Sequence, residues 1–234
     1  MKPLPVLISL PHAGTGVPPE VERLNLLTPG QIIADGDGGA DSIYTRLRDH
    51  VRHFVTTKIA RAYVDLNRGE KDIRTDGVVK TRTCWGEPIY RSPLSPEQVG
   101  ALIQKYHRPY HRKLEALAGQ GVILGIDCHT MAETGPPVGP DTGQRRPHVC
   151  LGDVYGTSCP TPWTRILAEC LDRYFNGEVR INRPFAGGWI TRHQHQFMPW
   201  IQLELSRASF ASDSEKGERV LKVLRLFCRG INPG

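Results

Sequence analysis

No apolar run in the 234-residue chain approaches the ~20 residues a bilayer-spanning helix needs, which argues against a membrane protein. The opening segment, Met-Lys-Pro-Leu-Pro-Val-Leu-Ile-Ser-Leu, carries two prolines and too short an apolar stretch for a secretory leader. Cys-x-x-Cys pairs are missing. The six cysteines, Cys84, Cys128, Cys150, Cys159, Cys170 and Cys228, therefore read as reduced thiols of a cytoplasmic protein, because a chain of this size needs no disulfide staples. There is no Gly-x-Ser-x-Gly elbow and no phosphate-cradling Gly-x-x-x-x-Gly-Lys-Ser/Thr loop, so serine-nucleophile and nucleotide chemistry lose support. Basic residues outnumber acidic ones by 30 to 24, but the arginines are scattered rather than gathered in a stripe. That excess of +6 suits solubility and attraction for a small anionic substrate, not nucleic acid. With no repeat, heptad run, low-complexity tract or linker, residues 1–234 read as a single domain, its oligomeric state left open.

Glycine (24) and proline (19) are plentiful, so many turns and long loops are expected around a core supplied by 39% apolar residues. Short β-branched runs at 5–10, 60–68, 121–130 and 149–153, a strand and glycine turn over 179–192, and an alternating stretch at 200–206 predict strands. Helical spacing predicts helices from Asp41 as N-cap, from Ser95 with Pro96 at the first helical position through Leu114, over 161–174 and over 214–229. Alternating strands and helices point to an α/β layer sandwich. The irregular stretches 69–92 and 131–147 read as long loops, the first able to act as a lid.

The stretch Gly121-Val-Ile-Leu-Gly-Ile-Asp-Cys-His-Thr130 is a buried strand that breaks off in polar residues. Alternation puts Asp127 and His129 on one face and Cys128 on the other, so a Cys128–His129 nucleophilic pair is disfavoured. His12 follows the first strand and opens a Gly-rich loop, while Asp35, Asp37 and Asp41 sit among glycines. Two imidazoles and a carboxylate from Asp35 or Asp37 form a ligand set for one catalytic Zn2+ per chain, although other divalent ions fit the same donors. Glu204, on the polar face of 200–206, is a carboxylate available to take a proton from an activated water. Arg68, Arg183 and Arg192 could grip an anionic substrate or polarise a carbonyl. His107 and His111, at i and i+4, have a zinc-compatible spacing but lack the glutamate of a His-Glu-x-x-His motif.

Eight short segments in order carry a family resemblance. They are Leu10-Pro-His-Ala-Gly14, Asp35-Gly-Asp-Gly-Gly-Ala-Asp41, Val64-Asp-Leu-Asn-Arg68, Gly86-Glu-Pro-Ile-Tyr90, Tyr106-His-Arg-Pro-Tyr-His111, Asp127-Cys-His-Thr-Met131, Asn182-Arg-Pro-Phe-Ala-Gly-Gly188 and Gln202-Leu-Glu-Leu-Ser-Arg207. Over most of its length the chain resembles the N-formylglutamate amidohydrolases, themselves distantly similar to zinc carboxypeptidases. The resemblance implies an α/β fold with a central mixed sheet flanked by helices, a phosphorylase/hydrolase-like three-layer sandwich, and zinc-dependent hydrolysis of the amide bond in small N-acylated amino acids. It implies zinc on His12 and His129, Glu204 as general base, and Asn67 with Arg68 as a carboxylate-binding pair. An arginine, assigned here to Arg192, would stabilise the oxyanion, and Arg183 would add to substrate binding. The carboxypeptidases place a ligand Glu three residues after the first His, where this chain has Thr15. The third ligand is therefore expected from Asp37 in preference to Asp35. The family often has an aromatic residue after that Asp, whereas this chain has Gly38-Gly39. A peptidase or amidase on larger peptides, or a non-catalytic binding module, are the alternatives.

Overall fold

The structure, a computed structural model, describes residues 2–137, 141–176 and 178–231. Six strands form one sheet: β1 (Leu4–Leu10), β2 (Val51–Thr56), β3 (Leu124–Met131), β4 (Val149–Gly152), β5 (Val179–Ile181) and β6 (Trp200–Ser206), in the order β2-β1-β3-β6-β4-β5. Neighbours run parallel except β4 against β6, which makes the sheet mixed. The helices are α1 (Pro29–Asp35), α2 (Ala40–Tyr44), α3 (Pro96–Leu102), α4 (Arg108–Leu117), α5 (Thr161–Phe175), α6 (Trp189–Gln194) and α7 (Asp213–Ile231). None of them, among the described residues, is long and apolar enough to cross a membrane.

Strand alternation sorts the core into two layers. Val6, Ile8 and Leu10 of β1, Leu124, Ile126 and Cys128 of β3, and Ile201, Leu203 and Leu205 of β6 pack against α2, α5 and α7. The opposite face carries Leu7 and Trp200 under α1, α3, α4 and α6. Trp200 lies flat over Gly125, where any side chain would collide with the indole. Further along, this second face changes character. Ser9, Asp127, His129, Gln202 and Glu204 all point into it, and all are buried. The register aligns Ser9 with Asp127, Asp127 with Gln202, and His129 with Glu204. The carboxyl ends of three adjacent parallel strands thus form one polar patch, the usual place for a site in a parallel α/β sheet.

Local chemistry explains the helix starts. Thr28 with Gln31 and Ser95 with Gln98 make capping boxes, each followed by proline at the first helical position. From Ser95 the chain runs helical to Leu117, but a π-turn at Ile103–His107 separates α3 from α4. Several expectations are corrected. Residues 60–68 are not a strand: Tyr63 N and Val64 N donate back to Ala60 O, Asn67 N donates to Asp65 Oδ1, and the backbone satisfies itself in turns. The run is apolar because it is buried, not because it pairs. β2 is a real strand that its Arg52-His53 centre conceals, since at the sheet edge only Val51 and Val55 are buried. The N-cap of α2 is Gly39, at φ 79°, and Asp41 lies in the first turn. The segment after the glycine turn at 186–188 is helical, so Arg192 stands on α6. Gln202, Glu204 and Ser206, the polar face of 200–206, are buried in the interior. The loop 69–92 is without helix or extended strand, and the loop expected at 131–147 begins one residue later, since Met131 closes β3; Val138–Pro140 lie outside the described residues.

Candidate metal centre

The site is assembled from His12 after β1, Asp37 in the glycine-rich turn before α2, and His129 near the end of β3. All three are buried, and one ligand atom from each lies within 4.8 Å of the others, so they form a group that could hold a metal ion. His129 Nδ1 is 3.2 Å from His12 Nδ1 and 2.9 Å from Asp37 Oδ2, and His12 Nδ1 is 3.5 Å from Asp37 Oδ1.

The far side of each ring fixes what the near side must be. His12 Nε2 meets Asp65 Oδ1 at 2.8 Å, and His129 Nε2 meets Asp127 Oδ2 at 2.8 Å. An ionised carboxylate only accepts, so both Nε2 atoms carry hydrogen and both neutral rings turn an Nδ1 lone pair toward the centre. With both rings neutral, two lone pairs and a carboxylate oxygen face one another, and only a proton on Nδ1 or a cation can sit between them. A cation relieves that arrangement, and carboxylate-backed imidazoles are the usual support for one. The electrostatics agree. Burial alone would raise the Asp37 carboxyl, but the two imidazoles outweigh it and hold it far below the usual carboxylate range. Burial alone would lower His129, but Asp127 and then Asp37 lift it well above the ordinary histidine value. Both directions report a centre that favours positive charge.

The supports are themselves held. Asp65 accepts from Arg61 Nε at 3.0 Å and from Asn67 N at 2.9 Å. Burial opposes its ionisation, yet His12 and Arg61 keep it well below the usual range. Asp127 accepts from Ser9 Oγ at 2.9 Å, and Ser9 is bonded in turn to Tyr110 at 2.9 Å. Glu204, paired in register with His129, accepts from Gln202 Nε2 at 2.8 Å. Burial pushes its carboxyl up to about 7, with His129 offsetting only part of the effect.

Of the two candidate aspartates, geometry brings in Asp37. Asp35 is occupied, taking both oxygens to Lys80 Nζ at 2.7 Å and Cys84 N at 2.7 Å. Glu204, Asn67 and Arg68 line the same cavity of about 400 Å³ as the three ligand candidates. Arg68 reaches Asp76 at 3.1 Å and Asp65 at 3.8 Å. Asn67 Oδ1 accepts from Ile190 N at 2.8 Å, and its Nδ2 lies 3.1 Å from the His129 ring at Nε2. Arg183 and Arg192 do not line this cavity. Arg183 is exposed and borders a second cavity of about 510 Å³, and Arg192 is exposed on α6, its Nε on Gly187 O. Cys128 lies on the opposite face of β3, its thiol driven up by burial.

His107 and His111 do not join the cluster. Their Nε2 atoms donate to Arg68 O at 2.8 Å and to Leu66 O at 3.0 Å. Burial holds both imidazoles below the ordinary value, His111 at about 3, so they stay neutral donors that clamp the backbone on either side of Asn67. Asp65, Arg61 and Lys80 were not foreseen as parts of the site. Asp127 had a visible signal in its i, i+2 spacing from His129, whereas Lys80, in an irregular loop, had none.

Residues 4–211 match the family described as N-formylglutamate amidohydrolase. The N-formylglutamate deformylase of Pseudomonas putida is 30% identical over 228 residues, covering 91% of this chain and 84% of that protein. The protein of the same description from Pseudomonas aeruginosa is 29% identical over 226 residues, covering 90% and 83%. In fold, the N-formylglutamate amidohydrolase of Ralstonia eutropha JMP134 superposes with a TM-score of 0.75 at 21% identity, covering 98% of this chain and 93% of that one.

Proposed function

The chain belongs to the N-formylglutamate amidohydrolase family, and on that premise we propose that it is a metal-dependent amidohydrolase that hydrolyses N-formylglutamate to formate and glutamate, or a close N-acyl amino acid to its carboxylate and the free amino acid. The observation that carries the reading is the meeting of His12 Nδ1, His129 Nδ1 and the Asp37 carboxylate in one buried group, with ligand atoms within 4.8 Å of one another. Those three atoms would hold the ion, expected to be Zn2+ at one per chain. When bound, such an ion supplies Lewis acidity, lowering the pKa of a coordinated water toward ~7 and polarising the acyl carbonyl.

The remaining work falls to the chain's own side chains. Asp65 and Asp127 hold the two rings in the productive tautomer and orientation. Glu204 takes the proton from the attacking water on a carboxylate oxygen as the new C–O bond forms. It then delivers that proton to the amide nitrogen as the C–N bond breaks. Arg68 exchanges exposed Asp76 for the substrate carboxylate. Asn67, whose Oδ1 accepts from Ile190 N, positions the start of α6. Arg183 and Arg192, outside the cavity, have no part in this scheme.

The test is turnover of N-formylglutamate by purified protein, before and after metal removal by a chelator, with Glu204→Gln in parallel. Formate release that stops on chelation, returns with Zn2+, and is lost in a Glu204→Gln variant that keeps its metal supports the reading. Activity that survives full metal removal overturns it. A second reading, hydrolysis of longer peptides, is favoured by one observation: Arg146 and Pro184 border both cavities. Short N-acyl peptides in the same assay separate the two.

A further inference from the structure

Five cationic side chains line the cavity, and four of them are already neutralised. Arg61 is on Asp65, Arg68 on Asp76 and Asp65, Lys80 on Asp35, and Arg146 on Asp141 with both nitrogens at 2.6 and 2.8 Å. The fifth, Arg207, forms no ion pair among the described residues. Its only side-chain hydrogen bond is a long one, Nη1 to Gly36 O at 3.4 Å. A half-buried guanidinium that lacks an acidic partner, yet faces a cavity, has an unmet preference for a planar anion.

Its placement follows from the strand that precedes it. The backbone of Arg207 directly follows β6, and its N–H donates to Met131 O at 2.8 Å, tying it to the end of β3. From there the side chain passes over the 36–38 turn. A Cβ at position 38 would lie 3.3 Å from Arg207 Nη1 and 3.7 Å from its Cδ. The missing side chain of Gly38 is therefore what leaves room for the guanidinium over this turn. Arg68 approaches the ligand cluster from the Asp65 side and Arg207 from the Asp37 side. One can take a carboxylate while the other takes a second.

We propose that Arg207 is the specificity-determining residue of this site, binding the side-chain carboxylate of an N-acyl dicarboxylic amino acid from the place over the 36–38 turn that Gly38 leaves it. The inference rests on the amidohydrolase reading, and supplies what that reading lacks: a reason for preferring an acidic substrate over a neutral one of the same shape. Losing a charge-assisted pair of hydrogen bonds costs about 10- to 100-fold in binding.

The experiment compares N-formylglutamate with its neutral isostere N-formylglutamine, in the wild type, Arg207→Ala and Arg207→Lys, with metal content and melting temperature recorded for each. The expected result is a wild-type preference for the acid that collapses in Arg207→Ala, through KM rising about 10- to 100-fold for N-formylglutamate with a much smaller change for N-formylglutamine. Arg207→Lys keeps the charge without the fork and falls between. Equal losses on both substrates, or an undiminished preference in Arg207→Ala, overturn the proposal. Should the wild type hydrolyse neither compound, the amidohydrolase reading fails, and calorimetry then judges Arg207 separately. Glutarate binding weakened in Arg207→Ala relative to butyrate sustains the carboxylate site, and identical glutarate affinity in the two proteins refutes it.

Discussion

His12 and His129 meet through their Nδ1 atoms, 3.2 Å apart, while each turns Nε2 onto a buried carboxylate 2.8 Å away. The relation between the two rings is symmetrical in chemistry although Asp65 comes from a turn and Asp127 from the same strand as its histidine. Removing either carboxylate frees its ring to adopt the other tautomer. Asp65→Asn and Asp127→Asn should each weaken metal affinity about 10- to 100-fold, measured by competition with a chelator of known affinity. Unchanged affinity in both variants would show that the carboxylates do not set the tautomers.

The two aspartates of the glycine-rich turn should separate cleanly. Asp37→Asn is expected to abolish metal binding with little loss of fold. Asp35→Asn leaves the Lys80 ammonium buried without its partner, a change of about 3–5 kcal/mol in unfolding free energy. Denaturant titration alongside metal analysis checks both. A stable Asp35→Asn protein that has lost its ion would reverse the assignment.

Glu204 sets a pH dependence whose sign follows from its role. Burial raises its carboxyl to about 7, and a base must be ionised to act, so kcat/KM should fall as pH drops through this group. A bound cation favours the ionised form, which places the limb in the working enzyme below the metal-free position. Profiles of kcat/KM between pH 5 and 8 should therefore show one proton taken up on the acid side. Glu204→Gln should lose about 100- to 10,000-fold in turnover. A flat profile would remove Glu204 from the proton transfer.

The clamp on Leu66 and Arg68 is testable apart from the metal. His111→Leu leaves Leu66 O without its donor, costing about 1–3 kcal/mol of stability. Because Asn67 and Arg68 are displaced with it, kcat/KM should fall while metal content stays at the wild-type level. His111→Gln can present a donor at the same place and should recover part of both. A loss of the ion in His111→Leu would mean that these histidines support the ligands and not the substrate side.

How much of this could be read from the chain alone depends on how local the signal was. The strand ends at His12 and His129 were legible because a β-branched run that stops in polar residues is a local pattern, and alternation put Asp127 beside His129. The choice between Asp35 and Asp37 was not decided locally, because it turns on Lys80, 45 residues away. Residues 60–68 resembled a strand because burial, not pairing, selects their apolar side chains. β2 was missed for the converse reason, as an edge strand shows the solvent its charged positions. Arg183 and Arg192 were chosen on residue type; the helix that carries Arg192 and the exposed turn that carries Arg183 point them elsewhere. Arg207 stood in plain view at the end of β6, but its lack of an acidic partner is visible only once the fold has paired the other cavity-lining cations.

The most direct test of the account is metal analysis of purified wild type, His12→Ala, Asp37→Ala and His129→Ala, each assayed for formate release from N-formylglutamate. The account predicts one divalent ion per chain in the wild type, none retained by any of the three variants after mild chelation, and activity that follows the ion. A variant that keeps its ion as tightly as the wild type, or a metal-stripped wild type that still releases formate, would contradict it.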